Sequence, residues 1–150
     1  MSILSRRQKK KIDRFFFETK KLQEDVISIA AERAAKAEES ADPTARQAVE
    51  RLAPVPHALG YDDPERWLQA AKETWDKYRD TQTGELMRRR YILKETWQVT
   101  LYECYISETV YFHALNEFIL YAALKLAEKK IDLELDDGKK LSEWDKYGTQ

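Results

Sequence analysis

A chain of 150 residues with a formal net charge of −1 fits one ordinary domain, and its 4 Gly and 4 Pro are too few for a β-sandwich or for long disordered linkers. The 11% of aromatic residues argues against a disordered chain, and the single cysteine excludes an intrachain disulfide. Helical patterns along the chain, without strand-like alternation of useful length, predict an all-α fold. Neither the apolar core of a signal peptide nor an apolar run long enough to cross a bilayer is present, so we expect a cytoplasmic protein with no membrane partner.

Residues 5–37 are predicted to form one long helix. Apolar side chains recur within it by three and four residues, which is the spacing of a coiled-coil seam. The seam comprises Ile12, Phe15, Leu22, Val26 and Ile29, with Thr19 completing the spacing between Phe15 and Leu22. A helix packed on its own domain and a coiled coil between chains are both compatible with this pattern. Phe16 and Phe17 lie off the seam, which predicts a second apolar contact near the start of the helix.

The first 21 residues are strongly basic, with eight Lys or Arg against two acids. Such a head is typical of an arm that binds nucleic acid, and the solvated start of a helix gives the same pattern. On the first interpretation, we expect phosphate contacts from the cations nearest the N-terminus. These are Arg6, Arg7, Lys9, Lys10 and Lys11.

Two Asp-Pro pairs mark helix starts, because Asp can cap a helix and Pro fits its first turn. The pair Asp42-Pro43 opens a short helix that ends near Leu52, and the pair Asp63-Pro64 opens one that runs to about Asp80. Two prolines and a glycine between these helices indicate a linker. The predicted organisation is a helical arm over residues 1–53, a linker over 54–61, a domain over 62–135 and a tail over 136–150.

The helix that begins at Pro64 carries Trp67, Ala71 and Trp75 on one face. Residues 81–84 combine a capping hydroxyl with a glycine and predict a break, and residues 85–94 predict a further short helix with three consecutive arginines. Two interpretations of these cations stay open, a solvated helix face and a clamp that binds phosphate. The clamp would comprise Arg88, Arg89, Arg90 and Lys94.

Residues 96–117 are predicted to form a helix-turn-helix, with a short helix over 96–103, a tight turn, and a second helix capped by Ser107. Apolar residues fall where the two helices must meet and where a side chain must plug the turn. These are Leu101, Cys104, Ile106, Tyr111, Ala114 and Leu115. The outward positions at the start of the second helix are then the predicted contacts to DNA bases. They are Ser107, Thr109, Phe112, His113 and Asn116.

Several short motifs in this part of the chain resemble the C-terminal half of ArpU- and RinA-type phage transcriptional regulators. They are Arg90-Tyr91-Ile92, Thr96-Trp97, Tyr105-Ile106-Ser107, Thr109, Tyr111-Phe112 and a trailing Glu117 with apolar residues. The resemblance covers about residues 84–130. It implies a helix-turn-helix similar to region 4 of sigma factors, in a sequence-specific DNA-binding regulator of phage or prophage late genes. It also implies a bacterial host cell, double-stranded DNA as partner, and RNA polymerase as a further candidate partner.

The recognition helix departs from that family in its charge. Such helices often show Arg or Lys, whereas Glu103 and Glu108 would here stand near phosphate. Phosphate contacts supply most of the affinity for DNA and require cations. The grip on the backbone is therefore expected from the arginine run and the basic head, outside the motif.

From Tyr111 to Ala127 the second helix continues as a stretch that is apolar on all sides and must be covered on all sides. The Trp67/Trp75 helix, the N-terminal seam and a second copy of the chain are possible covers. We favour a dimer, which would also supply two reading heads for an operator with two half-sites. The predicted oligomer interface adds Phe118, Tyr121 and Leu124 to the seam residues.

No residue pattern for catalysis is recognised. His57 and His113 are far apart, no metal-binding spacing occurs, and no Gly-rich phosphate cradle is present, so we expect no enzyme, cofactor or metal. Two alternatives to the regulator stay open. One is a phage packaging protein of the small-terminase type. The other is a helical protein-interaction module in which the helix-turn-helix is scaffold only, which the acidic Glu103 and Glu108 favour.

Overall fold

A computed structural model describes residues 4–39 and 57–133, with the side chains of residues 37–39 excepted. The described part is predominantly helical, which confirms the all-α class. Its elements are α1 (Arg6–Glu39), β1 (His57–Ala58), β2 (Tyr61–Asp62), α2 (Pro64–Lys77), α3 (Gln82–Tyr91), α4 (Trp97–Cys104) and α5 (Glu108–Glu128). The short helix predicted after Asp42-Pro43 and the tail predicted over residues 136–150 lie outside the described residues.

Helix α5 lies at the centre, and α1, α2 and α3 all pack against it. Its side chains Phe118, Ala122 and Leu126 are at most 1% exposed within one chain. The apolar stretch is therefore covered by the chain itself, and the expectation that a second copy covers it is wrong for these positions. Leu124 points outward and is 55% exposed, while Tyr121 is half-buried against the ring of Tyr78.

The first half of α1 belongs to the same core. Ile12, Phe15 and Leu22 are at most 1% exposed, and the Phe15 ring lies 4.9 Å from that of Trp67. The prediction that these three residues and Phe118 face a second chain is wrong, because their surface is already buried. The seam residues that follow them, Val26 and Ile29, are half-buried at the edge of the core.

The second apolar contact predicted near the start of α1 is confirmed. Phe16 is buried, and its ring centre lies 4.8 Å from that of Phe118 and 6.0 Å from that of Trp75. Phe17 packs on Tyr91 at 4.9 Å. The two adjacent rings thus bind α1 to α2, α3 and α5 at once, which explains why both positions of the pair are aromatic.

Part of the predicted linker is a β-hairpin. Strands β1 and β2 pair antiparallel, and Leu59 and Gly60 between them have φ values of 50° and 85°, as a tight two-residue hairpin turn requires. Ala58 and Tyr61 are buried, and the Tyr61 hydroxyl donates a hydrogen bond to Glu18 of α1 at 2.9 Å. Ala58 and Tyr61 therefore pack against the core, so the prediction that residues 54–61 form a linker between two domains is wrong for this hairpin.

The start of α2 is only partly as predicted. Pro64 occupies its first turn, but Asp63 has φ 50° and ψ 54° and its side chain makes no capping hydrogen bond. Side-chain capping needs an extended backbone at the capping residue, which the left-handed conformation removes. The capping role predicted for Asp63 is therefore wrong.

Helix α3 begins three residues earlier than predicted and includes Gly84 in its first turn. The Thr81 hydroxyl accepts a hydrogen bond from the Gly84 N–H at 3.0 Å, which confirms the predicted capping hydroxyl. A Cβ atom at position 84 would lie 2.1 Å from the carbonyl oxygen of Tyr78. Only glycine fits there, because the start of α3 passes directly over the end of α2.

Replacing Phe118 tests the central position of α5. We expect Phe118→Ala to lower the free energy of unfolding by about 3–5 kcal/mol, because truncating a fully buried aromatic side chain leaves a cavity. Glu128→Ala on the same helix is the control and should change it by less than about 0.5 kcal/mol, because the Glu128 side chain is 60% exposed. Chemical denaturation followed by circular dichroism measures both values. Equal losses in the two variants would contradict the described packing of α5.

Tyr78 generates a pH-dependent prediction. Burial, followed by the nearby charge of Glu117, raises the pKa of Tyr78 from 10.0 to about 12. The unfolded chain therefore loses this proton first, so the contribution of Tyr78 to stability is present below pH 10 and is lost as the pH rises towards 12. The denaturation midpoint should fall less steeply over this range in Tyr78→Phe than in the wild type. Parallel curves for the two proteins would rule out a buried, late-titrating Tyr78.

Candidate nucleic-acid interface

Helices α4 and α5 form the predicted helix-turn-helix, with capping residues at both helix starts. The Thr96 hydroxyl accepts from the Val99 N–H at 3.4 Å, and the Ser107 hydroxyl accepts from the Val110 N–H at 3.2 Å. Between the helices, Tyr105 adopts the left-handed conformation with φ 55°. These caps and this turn follow from local residue preferences, and the predicted bounds of both helices agree with the structure to within a residue.

The interior of the motif contains the apolar residues that were predicted for it. Tyr111, Ala114 and Leu115 are buried. Three further residues, Leu101, Cys104 and Ile106, are half-buried and pack against the core. The rear of α5 is therefore held in place by the rest of the domain.

The outward face of α5 brings together four of the five predicted base-contact residues. Ser107, Thr109, His113 and Asn116 are all exposed at the start of the helix, the last three at a spacing of four and three residues. The fifth, Phe112, is half-buried and packs on Trp97 of α4 at 5.6 Å. Its predicted contact with a thymine methyl group is corrected to a packing contact within the motif.

Arg90 is bound inside the chain. Its guanidinium forms two hydrogen bonds with the Asp13 carboxylate of α1, at 3.1 and 3.0 Å, and a third with the hydroxyl of Tyr111 at 3.2 Å. The hydroxyl of Tyr91 donates to the same carboxylate at 2.6 Å. Burial alone would lower the pKa of Arg90, but the hydrogen bonds and charge of Asp13 outweigh it and raise that pKa.

Asp13 therefore joins α1 to α3 directly, and Arg90 extends this connection to Tyr111 of α5. Burial, and then the charge of Asp13, also raises the pKa of Tyr91 well above its usual value, so this hydroxyl keeps the proton that it donates. The predicted phosphate contact at Arg90 is wrong, because each of its three guanidinium nitrogens already donates a hydrogen bond within the chain. The Arg-Tyr pair before the motif holds the three helices together instead.

Arg89 fastens α4 to α3. Its Nη1 atom donates to Glu95 at 3.1 Å and to Glu103 at 2.8 Å, and its Nε atom donates to Glu85 at 3.3 Å. The hydroxyl of the buried Thr100 donates to Glu95 at 2.9 Å. These glutamates satisfy Arg89 internally, so its predicted role in the phosphate clamp is also wrong.

Arg88 lies at the surface and pairs with Glu85. Its Nε and Nη2 atoms bind the carboxylate at 3.1 and 2.9 Å, and hydrogen bonding to Arg88 lowers the pKa of Glu85. Lys94 is exposed just before the motif, with φ 54° in the left-handed region. Of the predicted clamp, Lys94 is therefore the cation best placed to meet a ligand.

The cations of the basic head differ in their exposure to solvent. Arg6 and Arg7 are exposed at the start of α1. Lys9, Lys10 and Lys11 are half-buried, and the ammonium group of Lys11 lies 5.7 Å from the ring centre of Trp67. The lysines therefore lean partly onto the chain, which makes Arg6 and Arg7 the more accessible of the predicted phosphate contacts.

Sequence reasoning missed the exposed apolar surface of the motif. Tyr102 and Tyr105 are 83% and 94% exposed, and Val99 and Val110 are 43% and 40% exposed. Tyr102 was expected on neither the reading face nor the packing face. A helical wheel of residues 97–104 places Val99 and Tyr102 opposite the packing residues of α4.

Within residues 4–39 and 57–133, no group of three His, Cys, Asp or Glu side chains could hold a metal ion. None of the helices in those ranges is long and apolar enough to cross a membrane.

Comparison of the chain with protein-family models, with curated proteins and with solved structures finds no match. The relation to phage regulators thus stays a resemblance of residues 84–130. Function has to be inferred from the helix-turn-helix and the surfaces around it.

The Arg90–Asp13 pair can be tested by removing one partner. We expect Arg90→Met to lower the free energy of unfolding by about 2–3 kcal/mol, because it leaves a partly buried carboxylate without its charged hydrogen bonds. Arg88→Met is the matched control and should leave stability close to the wild-type value, since the Arg88 pair is solvent-exposed. If urea denaturation gave equal losses for the two variants, the assigned difference between these arginines would be refuted.

Proposed function

We propose that the chain is a sequence-specific regulator of transcription that reads double-stranded DNA with the start of α5. The observation that carries the proposal is the contrast between the two sides of this helix. Its rear is buried against three other helices, while Ser107, Thr109, His113 and Asn116 are exposed together at its N-terminal turns. A helix held from behind and open at its first turns is the form that enters a major groove.

The chemistry of the exposed side chains suits base edges. The amide of Asn116 can donate to and accept from one adenine at the same time, and Thr109 and His113 can each donate or accept one hydrogen bond. Within residues 4–39 and 57–133, none of these three side chains forms a hydrogen bond or an ion pair. They are therefore available to a ligand without loss of internal contacts.

Phosphate contacts would come from the edges of the motif. The first N–H groups of α5 carry the positive end of the helix dipole, and Lys94 lies just before α4. Arg89 offsets the charge of Glu103, which reduces the repulsion between this carboxylate and a phosphate. Glu108 remains as the one carboxylate in the first turn of α5.

The remaining parts of the proposal follow the family resemblance. The regulated genes would be phage or prophage late genes in a bacterial cytoplasm, with RNA polymerase as a further partner. A dimer would present two reading helices to an operator with two half-sites. Ile27 in α1 and Leu124 in α5 are exposed apolar residues that a second copy could cover.

A second candidate function is a protein-interaction module that does not bind DNA. The observation that favours it is the exposure of Tyr102 and Tyr105 beside Glu103 and Glu108 on the motif. Exposed tyrosines are typical of protein interfaces, whereas glutamates repel phosphate. Binding to DNA distinguishes the two functions directly.

The decisive experiment measures binding to DNA fragments from around the chain's own gene across a salt series. The double variant Thr109→Ala, Asn116→Ala should lose about 1–3 kcal/mol of binding free energy per lost base contact on the preferred fragment, and little on unrelated DNA. Gln69→Ala, an exposed polar position on α2, is the control and should bind as the wild type does. Fluorescence anisotropy with labelled fragments measures the affinities.

Two outcomes of the same experiment contradict the regulator. One is the absence of DNA binding by the wild type at about 50 mM salt, where phosphate contacts are strong. The other is an unchanged preference for the fragment in the double variant. The first outcome leaves the interaction module as the better function, and the second moves base recognition away from α5.

A further inference from the structure

A groove of about 740 Å³ lies between α1, the end of α2 and the end of α3, and its lining residues include none from α5. Its floor is aromatic and its rim is basic. The floor comprises Phe17, Trp75 and Tyr91, and the rim comprises Lys20, Lys21 and Lys94. We call these six residues the lysine groove.

The floor of the lysine groove consists of packed aromatic rings and offers apolar surface. Phe17 packs edge-on against the buried Tyr91 at 4.9 Å, and Trp75 lies 6.4 Å from the same ring. Phe17 and Trp75 are themselves only half-buried, so part of each ring is open to a ligand. Ile92 stands beside them with 61% of its surface exposed. An apolar side chain of a partner would find three apolar neighbours here.

The rim of the lysine groove has an excess of positive charge. Its three lysines are exposed, and two carboxylates, Glu18 and Glu24, also line the groove. Glu18 already accepts hydrogen bonds from Arg14 at 3.1 Å and from the Tyr61 hydroxyl at 2.9 Å. Glu24 alone is left to oppose the three lysines.

We propose that the lysine groove docks an acidic segment of a partner protein. A bulky apolar side chain of that segment contacts Phe17, Trp75 and Ile92, and its carboxylates pair with the three lysines. The occupant follows from the combined chemistry, since a sunken aromatic floor offers nothing to a phosphate backbone. The dense charge of DNA would also meet Glu24. The site uses α1, α2 and the end of α3, shares Lys94 with the proposed phosphate contacts, and does not depend on base reading by α5.

The proposal is tested with a labelled amphipathic peptide of about twelve residues that carries Glu on one face and Leu on the other. We expect saturable binding by fluorescence anisotropy. The double variant Lys20→Glu, Lys21→Glu should weaken it by about tenfold or more, because two attractive charges become repulsive. Ile92→Ser should weaken it by about threefold or more through loss of apolar contact. All three substituted positions are exposed, so the fold is retained.

The matched control is Lys36→Glu, Lys72→Glu, which makes the same charge change at exposed positions outside the groove and should bind the peptide as the wild type does. The proposal is overturned by a peptide that does not saturate, by equal weakening in the control, or by equal binding of a peptide with Gln in place of Glu. It is also overturned if the Lys20/Lys21 variant loses affinity for DNA and the peptide does not bind, since these lysines would then contact DNA. Failure of DNA binding in the wild type leaves the peptide result unaffected.

Discussion

The apolar surface of α5 is the constraint on which the rest of the described structure depends. Its side chains Phe118, Ala122 and Leu126 are almost completely buried, and apolar surface of this extent cannot remain in water. Helices α1, α2 and α3 cover it from different sides. Because the outward side of the first turns of the same helix is polar and exposed, the helix that the others cover also presents the candidate reading face.

The ion pairs of Arg89 and Arg90 within the chain hold the helix-turn-helix in position and limit the cations that it could offer to DNA. Arg90 connects α1 to α3 and α5 through Asp13 and Tyr111, and Arg89 connects α3 to α4 through Glu95 and Glu103. These pairs hold the helix-turn-helix in place, but they remove two cations from any contact with phosphate. A DNA-binding function must then draw on Lys94, the helix dipole and the exposed arginines of the head, while Lys20 and Lys21 of the lysine groove are left to an acidic partner.

Local signals in the sequence predicted the elements of the candidate site well. The hydroxyls of Thr96 and Ser107 cap the two helices as expected, and the spacing of apolar residues identified the packed face of α5. Capping and apolar spacing both depend on residues only a few positions apart, so the local sequence is enough to predict them. Predictions failed where a distant residue decides: Arg90 meets Asp13 across 77 positions, a pairing that no local pattern indicates.

The sequence by itself determined that this protein is helical, where the helix-turn-helix begins and turns, and which residues of α5 face outward, with the exception of Phe112. Those features follow from capping preferences and from the helical period, which are properties of short segments. Only the tertiary structure decided that α1 and the hairpin at Ala58 and Tyr61 join the core, and that the arginines pair with acids. Apolar spacing says that a face must be buried, but it does not name the partner that buries it. Many partners satisfy the same apolar and charged surfaces, and the packing of the whole chain selects among them.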